Sequence, residues 1–144
     1  MSLKQISVFV ENKPGMMQRL TDVLAKNEID MRALSLAEAS DFGIVRIIVD
    51  DVYAACTILR DEGFIYNVNK VLGVAIPDEP GGLNDVLVIL NEAGINVEYM
   101  YAFLGGKGIS HAYMIFRVQD NKAAVAALGA KGIHCIEQDD FAQM

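Results

Sequence analysis

Residues 78–90 read DEPGGLNDVLVIL, and the run at 86–90 decides the fold. β-Branched residues in a short apolar stretch suit a buried strand and a buried helix equally well. A second stretch arbitrates. Residues 12–24, NKPGMMQRLTDVL, carry the same Pro-Gly junction, with Pro80 and Gly81 standing 66 residues after Pro14 and Gly15. There Met16, Met17, Leu20, Val23 and Leu24 recur at helical spacing and leave Gln18, Arg19, Thr21 and Asp22 to the other face, the pattern of an amphipathic helix. Both segments read as helices that begin at a Pro-Gly junction.

The correspondence extends in both directions. At the offset of 66, Ile6, Val8 and Val10 fall on Leu72, Val74 and Ile76, and Ile29-Asp30 falls on Ile95-Asn96. Further on the offset is 69: Val49 matches Val118, Asp51 matches Asp120, Ala54-Ala55 matches Ala123-Ala124, Leu59 matches Leu128 and Gly63 matches Gly132. Three extra residues therefore enter a loop, most simply around GGKG at 105–108. An internal repeat lets each copy settle the ambiguities of the other.

Each copy reads as strand, helix, strand, strand, helix, strand. The first has strands near 4–11, 30–39, 43–50 and 64–70, with helices at 15–26 and 51–62. By analogy the second has strands near 71–77, 95–104, 110–118 and 133–138, with helices at 81–93 and 120–131. Asp50 or Asp51, and Asp120, suit the N-cap of the second helix of each copy, and Gly63 and Gly132 suit the position just past its C-terminus. The expected class is α+β, a ferredoxin-like βαββαβ unit repeated twice, with antiparallel sheets carrying helices on one face. The expected domains are 1–70 and 71–144, joined without a linker through Val68 to Val71.

Composition bounds the function. A chain of 144 residues with 53% hydrophobic content can fill a core. Twelve Lys and Arg stand against 19 Asp and Glu, a formal net charge of −7, which argues against a nucleic-acid partner. No secretory signal pattern opens the sequence, and no apolar run reaches the 18 or so residues of a membrane span. Two cysteines, Cys56 and Cys135, fit a reducing compartment better than a disulfide framework. A soluble cytoplasmic protein without membrane partner or cofactor is the expectation.

The Pro-Gly junctions carry the chemistry. Proline fixes φ at a helix start and the adjacent glycine lets a ligand approach the backbone. The N–H groups of Gly15, Met16 and Met17, and of Gly81, Gly82 and Leu83, then form anion sites at helix N-termini, suited to an α-carboxylate. Side-chain oxygens that an α-ammonium needs stand at Asn12 and Asp78 before the loops, and at Asp30 and Asn96 where each second strand begins.

The order βαββαβ, the stretches ENKPGMMQRLTDVL and PDEPGGLNDVLVIL, and EIDM and GINV opening the second strands resemble a tandem pair of ACT domains over nearly the whole chain. The resemblance implies a non-enzymatic regulatory protein that binds a free amino acid at an interface between two modules, with the first loop of one facing the second strand of the other. It implies ligand contacts at Asn12, Lys13, Pro14, Gly15, Met16, Met17, Asp30 and Met31, and at Asp78, Glu79, Pro80, Gly81, Gly82, Leu83, Asn96 and Val97. If loop and strand meet across copies, the composite sites pair Asn12 with Asn96 and Asp78 with Asp30: one neutral, one with two carboxylates. A partner enzyme of amino acid metabolism and a homodimer complete the expectation. Two alternatives stay open: a regulatory small subunit of a biosynthetic enzyme such as acetolactate synthase, and an interaction module without a ligand.

Other features carry less. Met16, Met17 and Leu83 stand where they wall a ligand, yet methionine at helical spacing is ordinarily core filling. LGGKGIS at 104–110 lacks P-loop spacing and lies between two strands, so it reads as a hairpin turn. His134-Cys135 has no second ligand pair in sequence, and His111, near the start of a strand, reaches a ligand only if that strand borders the groove. There is no acid–base pair, nucleophile elbow or metal cluster to support catalysis.

Overall fold

The structure is a computed structural model that describes residues 2–103 and 111–142. The expected turn at 104–110, with its three-residue insertion, lies outside the described residues. In chain order the elements are β1 (Leu3–Glu11), α1 (Met16–Lys26), β2 (Met31–Ala39), β3 (Phe42–Val49), α2 (Val52–Asp61), β4 (Ile65–Pro77), α3 (Gly82–Glu92), β5 (Val97–Phe103), β6 (His111–Val118), α4 (Asn121–Gly129) and α5 (Gln138–Ala142). The chain divides into two compact units: Lys4–Asn69, and Lys70–Met144 together with Met1–Leu3.

In the first unit the strand order is β2-β3-β1-β4. Both β1 and β2 run antiparallel to β3, with Val8 opposite Val45 and Leu36 opposite the same Val45. Alternation along β1 sends Ile6, Val8 and Val10 to one face, where they meet Leu20, Val23 and Leu24 of α1 and Ala55 and Leu59 of α2. The opposite face of β1 carries a polar chain: the Gln5 amide donates to Ser7 Oγ at 3.2 Å, and Ser7 Oγ donates to Asn69 Oδ1 at 2.8 Å.

The second unit repeats the plan in the order β4-β6-β5. Leu72, Val74 and Ile76 of β4 and Met114, Phe116 and Val118 of β6 meet Val86 and Leu90 of α3 and Ala124 and Leu128 of α4. VLVIL is thus helical, as its counterpart in the first copy requires. The second helix of each copy is capped as the sequence suggests, with Asp51 accepting from the Ala54 N–H and Asp120 from the Ala123 N–H, each at 3.0 Å. Asp50, the other candidate, instead accepts from the Asp30 and Asp51 N–H groups.

Two expectations need correction. The strands placed at 64–70 and 71–77 are one continuous strand of 13 residues, β4, whose halves serve different units. The segment 133–138 is not a strand. It makes a single bridge, Cys135 to Val74, with the Ile136 N–H donating to the Gly73 carbonyl at 2.7 Å, and then turns into α5. Leu3 and Ile136 both sit over Gly73, where an added Cβ would lie 2.7 Å from Leu3 Cδ1 and 3.4 Å from Ile136 Cβ. Among the described residues the segment pairs with β4 at this one bridge, where Gly73 leaves room for both side chains. Asp139 and Asp140 beyond it favour the first turn of a helix over a continued strand.

Candidate functional site

The two Pro-Gly loops have the same backbone. Gly15 and Gly81 take φ values of 87° and 88°, a left-handed conformation that an L side chain resists. Among the described residues, three backbone hydrogen bonds of the first loop recur in the second. Lys13 N–H donates to Glu11 O (3.0 Å) as Glu79 N–H does to Pro77 O (2.9 Å), and Arg19 N–H to Gly15 O as Asp85 N–H does to Gly81 O, both 3.0 Å. Neither α1 nor α3 has a side-chain cap, in contrast with α2 and α4.

One donor of each expected triad is used internally. Met16 N–H donates to Lys13 O at 3.4 Å and Gly82 N–H to Glu79 O at 3.1 Å, bonds that close the turn itself. The N–H groups of Gly15 and Met17, and of Gly81 and Leu83, have no backbone acceptor among the described residues. Two open donors at the positive end of a helix dipole remain in each loop.

Around the first loop lies a hollow of about 90 Å³, lined by Val10, Glu11, Asn12, Lys13, Met17, Leu36 and Gly43. Lys13 Nζ stands 3.1 Å from Glu11 Oε2, both exposed. Asn12 ties the loop to the β2–β3 turn: its N–H donates to Asp41 O at 3.0 Å and its Nδ2 to Ser40 O at 3.2 Å. Met16 and Met17 are half-buried against the core, so the core-filling role holds even where Met17 also walls the hollow. Leu36 and Gly43 escaped the sequence reading because only strand register, Val10 opposite Gly43, brings them to the loop.

The second loop is more acidic. Asp78 and Glu79 stand where the first loop has Asn12 and Lys13, and Asp85 lies in the first turn of α3, whereas α1 has no acid there. Leu83 packs on the core of its unit, and Gly82 is buried where a Cβ would run into the Pro77 carbonyl oxygen. His111 pairs with Pro77 at the start of β6, next to this loop.

The second-strand residues lie elsewhere. Met31 pairs with Val49 and Asp30 with Asp50, whose N–H donates to the Asp30 carbonyl at 3.1 Å; the loop sits by Phe42, at the other end of β3. Asp30 also accepts an ion pair from Arg32 Nε at 3.3 Å. In the second unit Val97 pairs with Val118, again far along β6 from His111 and Pro77, and the exposed Asn96 precedes it. Within each unit, then, the loop and the start of the second strand occupy opposite ends of the sheet.

A wider hollow of about 440 Å³ lies in the second unit against α4, lined by Ser2, Lys70, Asn121, Lys122, Val125 and Ala126. Arg117 Nη1 and Asn121 Nδ2 both donate to the Lys70 carbonyl beside it, at 3.0 and 3.3 Å. No group of three or more metal-ligating side chains gathers among the described residues, and none of their helices is long and apolar enough to cross a membrane. Cys56 and Cys135 are free thiols, and burial pushes both above the ordinary thiol range.

Comparison with known proteins places this geometry. No functionally curated protein matches the chain. Among solved structures, a protein from Bacteroides thetaiotaomicron is 36% identical, with a TM-score of 0.92 over 100% of this chain and 98% of its own. The regulatory subunit of aspartate kinase from Thermus thermophilus shares the fold at 15% identity, with a TM-score of 0.61 over 88% of this chain and 90% of its own. Aspartate kinase from Synechocystis does so at 19% identity and a TM-score of 0.58, over 95% of this chain but 28% of its own. A family model described as an ACT domain pair matches residues 1–144, and the chain belongs to that family.

Proposed function

We propose that this ACT domain pair is a non-catalytic regulatory protein that senses a free amino acid held between two ACT modules. The observation that carries this reading is the contrast among the four longer helices. Two are capped by an aspartate, while the two at Pro-Gly loops begin at a left-handed glycine with no side-chain cap. Uncapped donors at a helix N-terminus suit a carboxylate, and Gly15 removes the side chain that would block its approach.

The first loop is the better carboxylate site of the two. Lys13 offsets the charge of Glu11 and so leaves the Gly15 and Met17 N–H groups without net negative charge beside them, and Asn12 Oδ1 is an acceptor for the α-ammonium. The ligand side chain enters the hollow walled by Val10, Met17 and Leu36, whose apolar lining and size of about 90 Å³ suit a small apolar group. Asp78, Glu79 and Asp85 make the second loop hostile to a carboxylate. Binding stabilises one arrangement of the modules, and that shift in population conveys the amino-acid level to a partner enzyme of amino acid metabolism.

A thermal-shift screen against the twenty amino acids tests this. A ligand at 100 times its Kd adds about 2.7 kcal/mol of stability. The expected result is a rise in Tm with one or a few small apolar amino acids. No rise with any of them at millimolar concentration leaves the ligand-free interaction module as the reading.

A further inference from the structure

The hollow of about 440 Å³ against α4 plays no part in the amino-acid reading. β4 carries Lys70 to one end of the second unit's sheet and Pro77 to the other, so this hollow and the second Pro-Gly loop lie at opposite ends of it. All of its lining residues belong to that unit. Its size falls within the roughly 300–1,000 Å³ of small-molecule sites.

The lining is basic on one side and apolar on the other. Lys70 and Lys122 bring two ammonium groups and Ser2 a hydroxyl, while Val125 and Ala126, a turn further along α4, form an apolar wall. Among the described residues neither lysine is in an ion pair, in a chain whose net charge is −7. Two carboxylates of the neighbouring strands and loop are engaged elsewhere: Asp120 accepts from the Ala123 N–H, and Glu98 pairs with Arg117 at 3.5 Å. Arg117 and Asn121 both donate to the Lys70 carbonyl, which ties this end of β4 to α4. A carbonyl only accepts, so the Asn121 amide nitrogen faces Lys70, and its Oδ1 is left buried without a partner among the described residues.

The repeat shows that these residues are not needed to build the helix. α2 has the same aspartate cap, and its core positions Ala55 and Leu59 match Ala124 and Leu128 of α4. Yet at the offset of 69 it carries Val52 and Tyr53 where α4 carries Asn121 and Lys122.

We propose that this hollow binds a phosphate monoester whose apolar or planar body lies on Val125 and Ala126. Such a group carries a charge of about −1.5 to −2 at neutral pH and three strong acceptor oxygens. Lys70, Lys122 and Ser2 are three donor side chains to meet them, and ammonium groups act on phosphate as point charges. A hydroxyl on the body satisfies Asn121 Oδ1 once the amide turns towards the hollow, removing the cost of an unpaired buried acceptor. The site does not depend on the amino-acid reading.

Isothermal titration of the full chain with AMP, phenyl phosphate, inorganic phosphate and adenosine tests the proposal, with a melting curve for each variant to confirm folding. Both esters are expected to bind, inorganic phosphate more weakly and adenosine not at all. Lys70→Gln and Lys122→Gln should each raise the Kd for AMP about tenfold. The double variant Asn121→Val, Lys122→Tyr installs the first copy's residues, which a helix of this plan already carries, and should abolish binding. Lys131→Gln, an exposed lysine beyond α4 and outside the lining, should leave the Kd unchanged. Binding of neither ester, inorganic phosphate or adenosine binding as tightly as AMP, a folded double variant that still binds AMP, or an equal loss in Lys131→Gln and Lys122→Gln would overturn it.

Discussion

Gly82 is held so closely beneath Pro77 that a Cβ on it would overlap the proline's carbonyl oxygen, although the matching position of the first copy, Met16, carries a full side chain. The turn bond donated by Gly82 is 3.1 Å, against 3.4 Å for that donated by Met16. Gly82→Ala is therefore expected to destabilise the protein by about 1–3 kcal/mol, the usual cost of overpacking. Met16→Gly should instead lose helix propensity and some core contact. Urea denaturation of both variants checks this, and an unchanged midpoint for Gly82→Ala would show that the loop relaxes freely.

The aspartate caps make a second prediction. Asp51 and Asp120 each satisfy one helix N–H at 3.0 Å, and replacing either with alanine should cost about 1 kcal/mol. As the two sites lie in different units, the losses should add in the double variant. Equilibrium unfolding of the three variants measures both the size and the additivity.

Much of this was legible in the sequence, and the parts that were not share a physical cause. The repeat gave VLVIL its helix and Asp120 its capping role, because both are local properties that the first copy displays more plainly. The missing strand at 133–138 was not legible locally, since it rests on pairing with β4 about sixty residues away, where the segment makes only the bridge from Cys135 to Val74. Leu36 and Gly43 were missed at the first loop for the same reason: strand register, not sequence proximity, brings them there. The distance along the sheet from Asn12 to Asp30 follows from antiparallel pairing to β3, and it means that one unit alone does not unite the two groups.

Loop charge supplies a third prediction, resting on the proposed amino-acid site. Lys13→Glu puts a carboxylate where the second loop has Glu79 and should abolish the thermal shift produced by whichever amino acid is the ligand. Glu79→Lys, which exchanges a negative for a positive charge in the second loop, should leave that shift in place. Isothermal titration of both variants decides the matter. Equal loss in the two would mean that the loops contribute alike, and an unaffected Lys13→Glu variant would place the carboxylate elsewhere.

The thiols set a pH dependence whose sign follows from their surroundings. Burial is the main cause of the upward shift at both Cys56 and Cys135; at Cys56 a hydrogen bond with Tyr66 works in the opposite direction. A thiol whose pKa is higher folded than unfolded holds its proton longer in the native state, so between the two values the native state binds more protons than the unfolded one. The stability associated with the neutral thiols is then complete below the ordinary thiol pKa of 9.0 and is lost as pH rises above it. Denaturation midpoints should accordingly fall above pH 9 in the wild type and fall less in a Cys56→Ser, Cys135→Ser variant. Alkylation by iodoacetamide at neutral pH should be slow in the folded protein, slower at buried Cys135 than at half-buried Cys56, and rapid at both once the chain is unfolded. Fast labelling of Cys135 under native conditions would mean that the contact of the 133–136 segment with β4 opens readily, as a single bridge in place of a full strand ladder allows.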